Sequence, residues 1–351
     1  MTEFYEQVKE RLMRYARINT ESNPHSTSVP TTSCQHDLAK VIYEELQKIG
    51  ATNVYYDKDT CVVYGSLEAN VKTGRAIGFV THMDTAPDAS SKDVKPWILE
   101  NYDGNDIVLN KEKDIVMSPS VFPNLKQYIG QDLILTDGTT LLGGDDKASI
   151  AAVMTLLEHL VKHPEIKHNF ISVAFTPDEE VSGLAKDLDL ERFKSPIAYT
   201  LDGDHLGYYM DETFNASLST IEIHGISVHT ATAKGIMKNA VDIGNAFLNK
   251  LPALEKPQYT QGREGFYHVV SFNGDCEYAK IEINVRDHDS LQFDIRNNTL
   301  KMIVDMLNEE YGQGTVNITQ RIQYRNLKEV IDQVPFMIPY LKQAIESVGL
   351  T

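Results

Sequence analysis

Cysteine is scarce in this chain: Cys34, Cys61 and Cys276 are the only three in 351 residues. An odd, scattered trio cannot build a disulfide framework, and it suits a reducing compartment such as the cytoplasm. Basic residues are outnumbered, 33 Lys and Arg against 50 Asp and Glu, so the formal net charge is −17. Binding to nucleic acid or to an anionic membrane is driven by Lys and Arg, and that balance argues against both partners. No apolar run approaches the ~18 residues of a membrane span. The first residues carry Glu3 and Glu6 where a secretory leader needs a basic and then an apolar stretch. Internal repeats and low-complexity segments are also missing. These absences leave an ordinary globular protein suited to small peptides, metal cations or neutral substrates.

What is present divides into two textures. Phe4, Val8, Leu12, Tyr15 and Ala16 recur at helical spacing. A second helix is expected from Cys34 to Lys48, closed by Gly50. Strands are expected at Val54 to Tyr56, Cys61 to Gly65, Ala76 to Val80, Phe170 to Phe175 and Ile197 to Leu201, with a helix from Ile150 to Val161. The continuous apolar runs among them are those of strands buried on both faces. Strands alternating with helices predict an α/β domain with a mostly parallel sheet and helices on both faces. From Phe214 the strands alternate apolar and polar residues, in the order β-α-β-β-α-β. That pattern predicts an inserted α+β, ferredoxin-like domain with helices on one face. The expected boundaries are residues 1–213 for the first domain, 214–327 for the insertion, and 328–351 for a return to the first domain.

Carboxylates gather where the first domain's strands end. His82 and Asp84 follow one apolar run, Glu179 and Glu180 a second, and Asp202 a third, while Asp145 lies between Leu133 to Leu135 and the following helix. Alone, an acid at such a joint is an N-cap and a histidine a hydrogen-bonded loop residue. Ligands in open parallel sheets bind outside the carboxyl ends of the strands. One histidine and five carboxylates converging there would repel one another without cations among them. The set therefore reads as a two-metal site, suited to zinc and open to manganese or cobalt. Asp145, at what is read as the central strand end, is placed to bridge the metals. Asp84, two residues after His82, is placed to hold the imidazole N–H. The Glu179-Glu180 pair suits a division between a ligand and a general base, which is the apparatus for hydrolysing an amide. Other chemistries fit poorly. Gly138 to Gly143 begins like a phosphate loop but has Gly144 where its Lys belongs, and Gly225 to Val228 begins like a nucleophile elbow and breaks at His229.

Three motifs carry a resemblance: His82 to Asp88, Thr136 to Gly143 with Asp145-Asp146-Lys147, and Ala174 to Glu180. With Glu264 to His268, they resemble the peptidase T family of tripeptide aminopeptidases, in the dizinc aminoacylase and carboxypeptidase superfamily. The likeness runs from the first helix to about Leu350. It implies that His82, Asp145 and Asp202 hold one zinc, that Asp145 and Glu180 hold the other, and that Glu179 is the general base. It also implies a homodimer paired through the inserted domain, with His229 reaching the partner's site to stabilise the oxyanion and Arg286 contacting the tripeptide substrate. The chain departs from the family at His229 to Gly235 and at Asp202-Gly203-Asp204. Family members continue past the position of Thr351 with a Gly-rich substrate loop and a late histidine that completes the second zinc site. A catalytically impaired dimeric homologue is thus the alternative to an active exopeptidase.

Overall fold

The computed structural model describes residues 2–182, 188–203 and 205–350; Asp204 lies outside them. The chain forms two compact units, Met1–Asp202 and Gly203–Thr351. Among the described residues no helix is long and apolar enough to cross a membrane.

The first unit begins with α1 (Thr2–Ala16), α2 (Gln35–Ile49), β1 (Thr52–Tyr56), β2 (Val63–Leu67) and β3 (Ile77–His82). An excursion follows, comprising β4 (Trp97–Leu99), β5 (Ile107–Asn110), β6 (Ile115–Met117) and β7 (Leu133–Leu135). The unit is completed by α3 (Gly144–Lys162), β8 (Ile171–Thr176), α4 (Glu179–Ser182), α5 (Leu190–Phe193) and β9 (Ala198–Thr200). The main sheet has the order β1-β2-β8-β3-β9, with β8 at its centre. β3 runs parallel to β8 and β9, while β1 and β2 pair antiparallel, so the sheet is mixed.

Alternation along β8 sorts its side chains to two cores. Ile171, Val173 and Phe175 pack with Leu38, Ile42 and Leu46 of α2 and Ile150, Met154 and Leu157 of α3. Ala174 faces the other way, with Tyr64 and with Phe193 of α5. Arg11 ties α1, α2 and α3 together, since its guanidinium donates to Glu45 at 2.8 Å, to Thr155 at 2.8 Å and to Glu158.

One expectation is corrected in the excursion. Leu133 to Leu135 reads as the central strand leading to Asp145, yet among the described residues β7 pairs with β4 alone, in a separate two-stranded ribbon. Its apolar side chains are absorbed by a local cluster around Tyr102, Ile107, Leu125 and Leu135. Composition cannot distinguish burial there from burial in the main sheet.

The second unit contains β10 (Asn215–His224), α6 (Ala240–Lys250), β11 (Phe266–Gly274), β12 (Tyr278–Asp287), α7 (Ser290–Tyr311), β13 (Val316–Tyr324), α8 (Lys328–Ile331) and α9 (Met337–Ser347). Its sheet has the order β11-β12-β10-β13 and is antiparallel throughout. Ile221, Ile223, Ile281, Ile283 and Val285 bury one face against Phe247 of α6 and Phe293, Leu300 and Val304 of α7. Both helices start at side-chain caps: Asn239 accepts the Val241 N–H and Asp289 the Gln292 N–H. This is the ferredoxin-like arrangement that the alternating pattern predicts.

Candidate metal centre

The parallel strands β3, β8 and β9 bring their carboxyl ends to one rim of the main sheet. His82 is the last residue of β3 and stands in register with Thr176, the last of β8. Glu179 and Glu180 open the short helix after β8, and Asp202 lies two residues past β9. Asp145 arrives from the first turn of α3 and not from a strand of the main sheet. There Asp145 (φ −80°, ψ 108°) and Asp146 (φ −116°, ψ 25°) both depart from helical geometry, and Gly143 before them stands in the left-handed region at φ 74°. The peptide between Asp145 and Asp146 is cis. The two acids face opposite environments: the Asp145 side chain is 67% exposed, whereas Asp146 is 3% exposed.

His82 is the hub. Its Nε2 lies 2.9 Å from Asp145 Oδ1 and 3.9 Å from Asp202 Oδ2. One donor atom from each of these three residues falls within 4.8 Å of the others. On the other edge of the ring, Nδ1 faces the Asp84 backbone oxygen at 3.2 Å and Asp84 Oδ1 at 3.3 Å. Two acceptors hold a proton on Nδ1, so the proton that a cation at Nε2 would displace is the one shared with Asp145. Asp84 is fully buried, and its two oxygens also accept the backbone N–H groups of Glu179 and Glu180, at 2.9 and 3.1 Å. A single carboxylate therefore orients the imidazole and fixes the start of the Glu179-Glu180 segment.

The electrostatics show what this crowding costs. Burial alone would lower the His82 pKa, but Asp84, Asp146 and Asp145 outweigh it and push the imidazole up to about 10. Burial raises Asp146 to about 7, against the hydrogen bond from Ser149 and the attraction of His82. Burial is also the main cause of the upward shifts of Glu179, Glu180 and Asp202, and in each the negative charge of Asp145 adds to it. Carboxylates held together with their charged forms disfavoured are what a divalent cation would relieve. Imidazole nitrogen and carboxylate oxygen are the donor types that zinc accepts, so the residues fit such an ion.

His229 and Arg286 belong to the second unit. His229 is exposed at the start of a short 3-10 turn, where its Nδ1 accepts the Ala231 N–H at 3.2 Å. Arg286 sits on β12, where its Nη1 donates to the backbone oxygens of Ser217 and Val285 and its guanidinium lies 5.6 Å from the centre of the Phe214 ring.

Several residues that position the rim were not apparent in the sequence. Asp146 accepts the His82 backbone N–H at 3.2 Å. Lys147 is fully buried and donates to the Ile18 oxygen at 2.8 Å, anchoring the first turn of α3. Asp178 stands in the left-handed region at φ 61°, a conformation that costs an ordinary L-residue roughly 1–2 kcal/mol. The available signal was local: in Asp145-Asp146 and in Asp178-Glu179-Glu180, adjacent acids cannot all point the same way, so each run had to hold at least one supporting side chain.

Comparison with known proteins defines the class first. Residues 212–315 match the family model of the peptidase dimerisation domain. An aminopeptidase of Bacillus cereus shares the fold over 99% of this chain and 83% of its own, with a TM-score of 0.74 at 21% identity. A tripeptidase of Staphylococcus aureus does so over 99% and 82%, with a TM-score of 0.74 at 18% identity. The architecture is thus the M20 peptidase fold, with an inserted dimerisation domain. A curated peptidase T of Clostridium novyi is 46% identical over 346 residues, covering 98% of this chain and 85% of the relative. The chain belongs to the peptidase T family.

Proposed function

We propose that this protein is a metal-dependent exopeptidase that removes the N-terminal residue of tripeptides, acting as a homodimer in the cytoplasm. The reading rests on the donor cluster His82, Asp145 and Asp202 at one rim of the main sheet of a peptidase T family chain. His82, Asp145 and Asp202 would hold one zinc ion and Asp145 with Glu180 a second, with Asp145 as the bridge. Bound there, such an ion would supply a lowered pKa to water and polarisation to a peptide carbonyl.

The chain's own side chains have separate tasks. Glu179 accepts the proton of the attacking water and returns it to the leaving amine. Burial raises its pKa, which brings a general base closer to the pH at which it must exchange protons. Asp84 keeps His82 Nδ1 as a donor, so that Nε2 remains the ligating nitrogen. His229 would serve the partner's site. With its Nδ1 accepting the Ala231 N–H, neutral His229 carries its proton on Nε2, where it can donate to a developing oxyanion. Arg286 would contact the substrate. We further propose that residues 1–213 and 328–351 form the catalytic domain and residues 214–327 the dimerisation domain.

A panel of tripeptides, incubated with protein loaded with zinc or cobalt, tests the reading. Glu179→Gln should lower kcat by roughly 10²–10⁴-fold, the span of general acid–base catalysis, while retaining the bound metal. Absence of turnover on every tripeptide would leave the impaired dimeric homologue as the better description.

A further inference from the structure

The segment that carries Glu179 and Glu180 is held from a second direction, by a helix that carries no candidate ligand or base. Gln35 is the first residue of α2 and is completely buried. Its Nε2 donates to Asp178 Oδ1 at 2.7 Å, and its Oε1 accepts the Asp178 backbone N–H at 3.2 Å. Thr31, just before α2, completes the grip. Its backbone N–H lies 3.0 and 2.9 Å from the two Asp178 oxygens, and its hydroxyl donates to Oδ1 at 2.5 Å. Asp178 is 5% exposed and stands at φ 61°, where the chain bends as it leaves β8. The next two backbone N–H groups then meet the Asp84 carboxylate.

We propose that Gln35, acting through Asp178, is a positioning residue that sets where the Glu179 and Glu180 carboxylates stand. A primary amide suits the task because it donates and accepts at once, matching one carboxylate oxygen and one N–H of the same residue. Such a two-point match fixes both the side chain and the backbone of Asp178. The Asp84 bonds locate the N–H groups of Glu179 and Glu180, and the Gln35 bonds locate the residue before them. Together they leave the segment little freedom, and a displacement of about 1 Å in a catalytic group can lower turnover by roughly 10²-fold. This inference rests on the proposed roles of Glu179 and Glu180.

Gln35→Leu removes both bonds at similar volume, together with the longer Nε2 contacts to the Thr31 and Thr32 hydroxyls at 3.4 and 3.3 Å. Hydrogen exchange of peptides covering residues 176–181 should quicken at least tenfold, with β2 and the first half of β8 unchanged. On tripeptides kcat should fall about 10–100-fold with KM within twofold, because orientation and not substrate capture is disturbed. Equilibrium dialysis should show weaker binding of the metal that depends on Glu180. Should Gln35→Leu fail to fold, Gln35→Glu sets a carboxylate against Asp178 and should lower kcat similarly. Adding Asp178→Asn to Gln35→Glu restores a donor opposite that carboxylate and should recover most of the loss. Unchanged exchange at residues 176–181, an unchanged kcat in the single variants, or no recovery in the double variant would each overturn the proposal. The functional reading fails separately: if wild-type protein hydrolyses no tripeptide, or Glu179→Gln stays fully active, that reading falls. Exchange and metal binding still report whether Gln35 holds the segment.

Discussion

At the scale of single residues, the adjacent pair Asp145 and Asp146 shows how one step along the chain separates two roles. Asp145 projects toward Nε2 of His82, and Asp146 turns inward to accept the His82 backbone N–H. Asp145→Asn removes a charge that both proposed metal sites share, so equilibrium dialysis should show loss of both ions. Asp146→Asn is isosteric and keeps an oxygen to accept the His82 N–H, so at least one ion should remain bound. Loss of both ions from Asp146→Asn would mean that Asp146 is itself a ligand. That Asp145 joins His82 and Asp202 in a donor cluster was legible from its place before a helix. The role of Asp146 was not, because which of two neighbouring acids faces inward depends on the local backbone and not on residue type.

At the scale of elements, α1, α2 and α3 are joined by a charged cluster that hydrophobic periodicity cannot reveal. The side chains of Arg11, Glu45 and Glu158 are 8%, 13% and 23% exposed. Arg11→Met would leave Glu45 paired with Arg14 and Glu158 with Lys162 but remove the cation that joins them, and should destabilise by about 1–2 kcal/mol, well below the value for breaking a wholly buried pair, measured by urea unfolding at neutral pH. Glu158 also feels Lys162, whose hydrogen bond, with that from Arg11, holds its carboxyl below the usual range. A depressed folded pKa contributes stability above the unfolded carboxylate pKa and loses it as pH falls through the folded value. The stability gap between wild type and Glu158→Gln should therefore be full at pH 7 and shrink as pH drops below about 4. A constant gap would assign it to packing. On the other face of the sheet, Gly78 allows close approach by α5, since a Cβ there would lie 2.3 Å from Phe193 Cζ and 3.1 Å from the Ile197 oxygen. Gly78→Ala should destabilise by roughly 1–3 kcal/mol through overpacking. A neutral result would show that Phe193 swings aside freely.

At the scale of the whole molecule, the match of residues 212–315 to a dimerisation domain supports the proposed assembly. Sedimentation equilibrium should give a mass near twice the 39.5 kDa of one chain. A monomer at micromolar concentration would remove the partner role proposed for His229. The sequence by itself determined the two textures, α/β and then ferredoxin-like, because burial on both faces or on one imposes different hydrophobic periods. It also determined that His82, Glu179, Glu180 and Asp202 stand at strand ends, since strand limits are written in apolar runs and turn residues. Only the tertiary structure decided that β7 lies outside the main sheet, that Asp145 comes from the start of α3, and that Gln35 and Asp84 grip the Glu179-Glu180 segment from two sides. Those contacts join residues far apart in the chain, 143 positions for Gln35 and Asp178. Local patterns record how much of a segment is buried but not which distant partner buries it.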